Sequence, residues 1–259
     1  IGFENLPFGI NLKIADIPWF LSFTSNFYII YGTVSAAIAI LWAVSVEVQF
    51  YILWPIIVSF INKKYVPTLL VTIIILATIF RFIHSEEPNQ ILYSTFSVIS
   101  GIAIGALFGF FAFFRKNFTE KMSEFFTRKN VILLYALFLV VLYVKMFPYY
   151  FIPHSLMGLY TAILPVFFSL LFIFIILEQN YSNYSLFKAS TNSKVTYLGK
   201  ISYGLYAYHM LCIAVIFSIS KSIGINSGLV ISLISFAFTI LISHISHKYI
   251  ELKILRLKI

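Results

Sequence analysis

The chain has 259 residues, 61% of them hydrophobic and 10% charged, with a mean hydropathy of +0.96. Soluble domains carry about 25% charged residues, so this composition excludes a water-soluble globular fold and implies an integral membrane protein. The single cysteine, Cys212, excludes an internal disulfide and a multi-cysteine metal cluster. The net charge of +9 points to membrane topology rather than to a nucleic-acid partner, because the cations concentrate in alternate loops.

In chain order, the sequence begins at Ile1 without a methionine or a signal-peptide pattern, which predicts that the start of a longer protein precedes it. Residues 1–40 read as an extracytoplasmic or interfacial segment. Within it, IPWFLSFTSNFYIIY (17–31) is apolar but short and interrupted by Ser22, Thr24, Ser25 and Asn26, as suits an interfacial or re-entrant stretch. Crossing roughly 30 Å of hydrocarbon takes about 20 residues of helix. Runs of that kind cover 41–61, 66–83, 92–114, 130–147, 157–177, 201–220 and 226–246. The expected fold is therefore all-α, a polytopic transmembrane helix bundle of about seven spans over 41–259, with 1–259 forming a single membrane domain.

Of the 18 Lys and Arg, only Lys13, Arg81, Lys145 and Lys221 fall on one set of alternate loops. Cytoplasmic loops retain cations, so the rest predict a cytoplasmic C-terminus. In the third run, Ser97, Gly101, Gly105 and Gly109 recur every four residues. Such a small-residue face serves either helix packing within the bundle or a dimer.

Ionisable groups inside a span cost about 2.5–3.5 kcal/mol on insertion scales, which marks them as candidate functional residues. In LWAVSVEVQFYILWP (41–55), Glu47 lies about 9 Å into the first span, with Tyr51 and Trp54 on its face. Pro55 has no N–H for the Tyr51 carbonyl, so a carboxylate, a phenol and a freed carbonyl converge there. The cluster is either a site for a hydroxylated ligand or a structural glutamate paired to another helix. Arg81, on the same side of the membrane, is free to pair with Glu47, to bind substrate, or to snorkel to the interface.

In ISYGLYAYHML (201–211), Ser202, Tyr206 and His209 form one polar stripe, with His209 about 12 Å in from the cytoplasmic end. It suits a proton carrier or ligand contact, or equally a structural histidine bonded to a tyrosine. His244, His247 and Glu251 share a face near the C-terminus, but the spacing lacks the H-E-x-x-H glutamate, and no metal is expected. No G-x-S-x-G elbow, P-loop or dinucleotide fingerprint is present.

These same stretches carry a family resemblance. LWAVSVEVQFYILWP resembles the signature of the acyltransferase-3 membrane proteins, in which a Trp is followed by V-E-x-Q-F-Y-x-x-x-P. TSNFYI (24–29), LGKISYGLYAYHM (198–210) and SHKYIELKILRLK (246–258) are similar to three further segments of that family, in the same order. The resemblance implies a multi-helix enzyme of the bacterial inner membrane that moves an acyl group, usually acetyl from cytoplasmic acetyl-CoA, to a hydroxyl of a surface polysaccharide or lipopolysaccharide sugar. It singles out Trp42, Glu47, Gln49, Phe50, Tyr51 and Pro55, then Ser202, Tyr203, Tyr206 and His209, then Glu251.

Val48 stands where the signature often has a second acid, and Leu252 where a proline closes it. The arginine and presumed catalytic histidine of the family's first helices, and its F-F-x-x-S-G motif, have no match here, so the 259-residue piece by itself is expected to be inactive. The implied mechanism leaves deprotonation of the acceptor, or passing on of the acyl group, to a histidine outside this stretch. It takes Glu47 and His209 as the catalytic residues within it, Glu47 with Tyr51 orienting the acceptor or the base and His209 lining the path of the acyl group. Trp42, Gln49, Tyr51, Arg81, Ser202 and Tyr206 fall to substrate binding, and Arg115, Lys116, Arg128 and Lys129 of the loop RKNFTEKMSEFFTRK to the phosphates of acyl-CoA; positive-inside retention also accounts for that loop. The implied partners are membrane lipid, acyl-CoA and a glycan acceptor. A transporter or flippase of glycan or acyl groups is the rival reading, since intramembrane Glu, Arg and His also mark transport paths. An inactive fragment is a third.

Overall fold

The computed structural model describes residues 16–32 and 36–256; the start of the chain, with Lys13, and residues 33–35 and 257–259 lie outside the described residues. Among the described residues the helices, in chain order, are α1 (Ile17–Leu21), α2 (Ser25–Tyr31), α3 (Ala36–Ala39), α4 (Trp42–Phe60), α5 (Val66–Ile83), α6 (Pro88–Tyr93), α7 (Thr95–Phe114) and α8 (Phe118–Phe125). There follow α9 (Arg128–Met146), α10 (Pro148–Phe151), α11 (Met157–Tyr181), α12 (Ser193–Lys200), α13 (Ser202–Ser222), α14 (Gly228–Ser246) and α15 (Leu252–Arg256), the last two joined by a π-helical turn at His247–Glu251.

Seven stretches are long and apolar enough to cross a membrane: Trp42–Phe60, Lys63–Ile83, Pro88–Phe114, Arg128–Met146, His154–Tyr181, Ser202–Ser222 and Gly228–Arg256. They coincide with the seven apolar runs, so the protein is an all-α polytopic membrane protein. Helix ends outrun the apolar runs because backbone bonding continues until a cap or a break intervenes. Asn192 caps α12 by accepting from the Lys194 and Val195 amides at 3.0 and 3.2 Å.

Two compact units emerge, Ile1–Ser45 with Ala189–Ile259, and Val46–Lys188. In the second unit α5 lies along α7, closed around buried Val66, Leu70 and Ala103, with Trp54 and Val58 of α4 packed on them. A Cβ on Gly101 would stand 3.3 Å from Ser169 Oγ, so this glycine is what lets α7 approach α11. Gly105 and Gly109 have nothing within 4 Å of such an atom, so among the described residues the small-residue face packs through buried Ser97 and Gly101 and is open at its last two positions. A second cluster, Phe126, Val131 and Leu177, joins α9 and α11 at the end of the unit nearest α8.

Two buried ionisable groups brace this unit. Arg81 is 1% exposed. Its Nε donates to Ala162 O at 2.8 Å, its Nη1 to Ser97 O and to Ser100 Oγ at 2.9 Å, and its Nη2 to Thr78 Oγ1 at 3.1 Å. Pro165, inside α11, withholds an N–H from Thr161 and loosens that turn, beside the carbonyl that Arg81 takes. Glu178 is fully buried; its Oε2 accepts from Tyr135 Oη at 3.0 Å and Gln179 Nε2 at 2.8 Å.

In the first unit, antiparallel α13 and α14 meet through small residues. A Cβ on Gly204 would lie 3.2 Å from Ser243 Cβ, and buried Ser235, Thr239, Ser243 and Ser246 give α14 a slim face. The apolar stretch 17–31 forms two short helices, broken where Phe23 takes a left-handed φ of 56°. Asp16 accepts from Tyr28 Oη at 2.8 Å, and Ser25 and Ser45 hydroxyls meet at 2.8 Å.

Candidate active site

Within the first unit, α13 presents the stripe that its sequence spaces at i, i+4 and i+7, but the three side chains go to different tasks. Ser202 is exposed at the helix start. Tyr206 donates its hydroxyl to Ile40 O at 2.7 Å, tying α13 to the segment that leads into α4. His209 is half-buried, and its Nδ1 stands 2.7 Å from Tyr206 O. A carbonyl only accepts, so Nδ1 carries the proton and the neutral ring has Nε2 as its basic nitrogen.

That ring lines a cavity of about 380 Å³ between α13 and α14, walled by Leu205, Ile213, Ile231 and Phe236, with Ser232, Ser235 and Thr239 as its polar points. An apolar chamber with a few convergent polar groups and an imidazole of fixed tautomer is built to hold a small, mostly apolar group and to move a proton at one position.

At the C-terminal end of α14, α13 and α14 are joined by a polar chain. Tyr208 Oη lies 3.1 Å from Ser246 Oγ, Ser246 Oγ 3.5 Å from Glu251 Oε1, and Glu251 Oε2 2.9 Å from His247 Nδ1. The π-helical turn brings His247 and Glu251 together. His244 instead turns to the Tyr197 hydroxyl. Among the described residues no group of three His, Cys, Asp or Glu side chains stands close enough to hold a metal ion.

The first motif begins at the end of the first unit, with Trp42, and continues into the second unit's part of α4. Glu47 and Tyr51 are both exposed, Tyr51 at 64%, and Glu47 makes no hydrogen bond or ion pair among the described residues. Gln49 accepts from Thr95 Oγ1 at 2.7 Å, a bond between α4 and α7, and Phe50 stacks on Trp54 with ring centroids 5.2 Å apart. Trp42 is half-buried at the start of α4. Among the described residues Arg81 makes no bond to Glu47, and a residue 1% exposed does not snorkel; its donors go to α7, α11 and its own helix. Arg115, Lys116, Arg128 and Lys129 are exposed around α8, and none forms an ion pair among the described residues.

Sequence reasoning passed over Ser235 and Thr239, since a hydroxyl in an apolar run carries no signal of its own. It also passed over Glu178, which lies one residue beyond the fifth apolar run; an acid directly at the end of a span was the available cue.

No curated protein and no solved structure matches the chain. Residues 2–247 match the acyltransferase-3 family, described as an acyltransferase domain, and with that coverage of the seven spans and of the His209 cavity the chain belongs to that family.

Proposed function

We propose that this membrane acyltransferase is an O-acyltransferase that moves an acyl group, acetyl in the simplest case, from acyl-CoA to a hydroxyl of a cell-surface glycan. The observation that carries the reading is His209, whose Nδ1 is held by Tyr206 O so that the basic Nε2 belongs to a ring on the cavity wall. In the transfer, the acceptor hydroxyl oxygen bonds to the thioester carbonyl carbon and its proton passes to Nε2. As the C–S bond breaks, the leaving thiolate takes that proton back from the imidazolium.

Glu47, exposed in the signature, contacts the acceptor sugar, with Tyr51 one turn on. The exposed cations Arg115, Lys116, Arg128 and Lys129 meet the phosphates of the donor. The uneven distribution of Lys and Arg supports a cytoplasmic C-terminus; residence in a bacterial inner membrane follows from the proposed transfer to a cell-surface glycan.

The test is transfer of label from acetyl-CoA to glycan in proteoliposomes. The full-length protein should yield labelled glycan, and His209→Gln in it should lower the rate by roughly 10²- to 10⁴-fold at unchanged expression. Glu47→Gln should abolish labelling of the glycan. Glycan carried across the bilayer with no acetyl leaving the donor would overturn the reading in favour of transport.

A further inference from the structure

Between α9 and α11, at the end joined by α10, lies a cavity of about 350 Å³ that no step of the proposed transfer uses. Val141 and Val144 line it from α9, and Leu159, Ile163, Leu164 and Phe167 from α11. Tyr160 is also on its wall, but the phenol oxygen is buried in the protein. The lining therefore offers an occupant no side-chain hydrogen bond. On α9 the one buried residue is Val131, at the opposite end of the helix, so protein contacts leave the α10 end of the seam open.

Lys145 stands at the rim of this cavity. It follows Val144 and lies four residues after Val141, so the three share one face of α9. Its ammonium rests over the Phe168 ring of α11, 5.0 Å from the centroid, which brings the charge to the same seam. Among the described residues Lys145 makes no hydrogen bond and no ion pair. The walls have no anion to give it, because the sequence holds no Asp or Glu between Glu124 and Glu178, a stretch that includes α9, α10 and the α11 wall. On the turn packed at Gly158, Glu87 is held by His84 at 2.8 Å and Glu86 makes no ion pair.

From Leu156 to Phe167 the α11 side of the cavity runs about 16 Å at 1.5 Å per residue, half of the roughly 30 Å hydrocarbon core. That is the depth of one leaflet. Lys145, next to last in α9, is at the headgroup end. A neutral apolar molecule would leave the cation unmatched, and a soluble phosphate would leave the chamber empty. A phospholipid has both parts in this order, an acyl chain below an anionic phosphate.

We propose that the seam between α9 and α11 is a binding site for a phospholipid of the surrounding bilayer. One acyl chain lies in the cavity, and the phosphate accepts from the Lys145 ammonium. The lipid closes the gap that the two helices leave at the α10 end.

The experiment uses the full-length protein, stripped of lipid in detergent and incubated with phosphatidylglycerol that carries a photoreactive diazirine in one acyl chain. Peptide mass spectrometry should find the label concentrated at the cavity wall, within residues 141–167. Competition with unlabelled lipid then reads affinity, phosphatidylglycerol against a diacylglycerol of the same chains that lacks the phosphate. Lys145→Ala should lower affinity for phosphatidylglycerol about tenfold, the worth of one bond to a charged group, and leave diacylglycerol unchanged. Lys145→Arg should keep the preference. Val144→Trp, which fills the cavity, should remove the label from the wall; Ile163→Phe does the same from α11 if that variant fails to fold. Label spread over all seven spans would show ordinary boundary lipid only and overturn the proposal. So would equal competition by the two lipids in wild type, or an equal loss for both in Lys145→Ala. Competition by glycerol phosphate as strong as by phosphatidylglycerol would identify a simple anion site and overturn it as well.

Discussion

Replacing Arg81 by methionine tests whether this intramembrane cation is a brace or a ligand contact. The substitution keeps most of the volume and removes four hydrogen bonds, to Ala162 O, Ser97 O, Ser100 Oγ and Thr78 Oγ1. Interhelical hydrogen bonds in membranes average about 0.6 kcal/mol and reach about 1.7, so the three that leave α5, to Ala162 O, Ser97 O and Ser100 Oγ, bracket roughly 2 to 5 kcal/mol. The lower half of that range applies. Thr78 already donates to Ile74 O at 2.8 Å, and the two carbonyls keep their helical amides.

We expect a loss of about 3 kcal/mol, which for a chain of this size lowers the melting temperature by roughly 6 to 12 °C. Fluorescence-detected melting in detergent reads this directly. Arg81→Lys should fall between, because an ammonium places its donors on one nitrogen and lacks the planar fork that serves α7 and α11 together. Methionine melting within about 2 °C of wild type would refute the brace, since the bond average itself predicts more. An undiminished melting temperature with lost transfer would return Arg81 to substrate binding.

Two further outcomes follow from the geometry. Glu178→Ala strands the Tyr135 hydroxyl and the Gln179 amide and should cost about 1–3 kcal/mol in the same melting assay, whereas Glu178→Gln keeps one acceptor oxygen for both donors and should cost less. The hydrogen bond to Asp16, then burial, then the Asp16 charge, hold the Tyr28 phenol above its ordinary value of 10. The folded state therefore favours the protonated phenol: the stabilisation is complete below pH 10 and is lost as pH rises through the raised value. Tyr28→Phe should flatten that alkaline decline in melting temperature, and a decline as steep as wild type would refute the assignment.

The amino-acid sequence by itself determined the number and order of the spans. Hydrocarbon forces every backbone group into an internal bond and rewards about 20 apolar residues in a row, and both conditions are local along the chain. It also exposed the signature around Glu47 and the stripe ending at His209, because polar residues inside apolar runs stand out.

Partners were decided only by the tertiary structure. Arg81 on its own fits a snorkelling cation or a substrate contact; what settled its place was the approach of α7 and α11, with Gly101 against Ser169 and Pro165 loosening a turn near Ala162. Tyr206 reaches Ile40, 166 positions away, a pairing that no periodicity can encode. Lys145 reads in the sequence as a cation at a span end, and only the tertiary structure turns it onto Phe168, at the seam that holds an apolar cavity. Burial in lipid is read from each residue's own chemistry, whereas a hydrogen bond between helices depends on which turns of two separate segments come within about 3 Å.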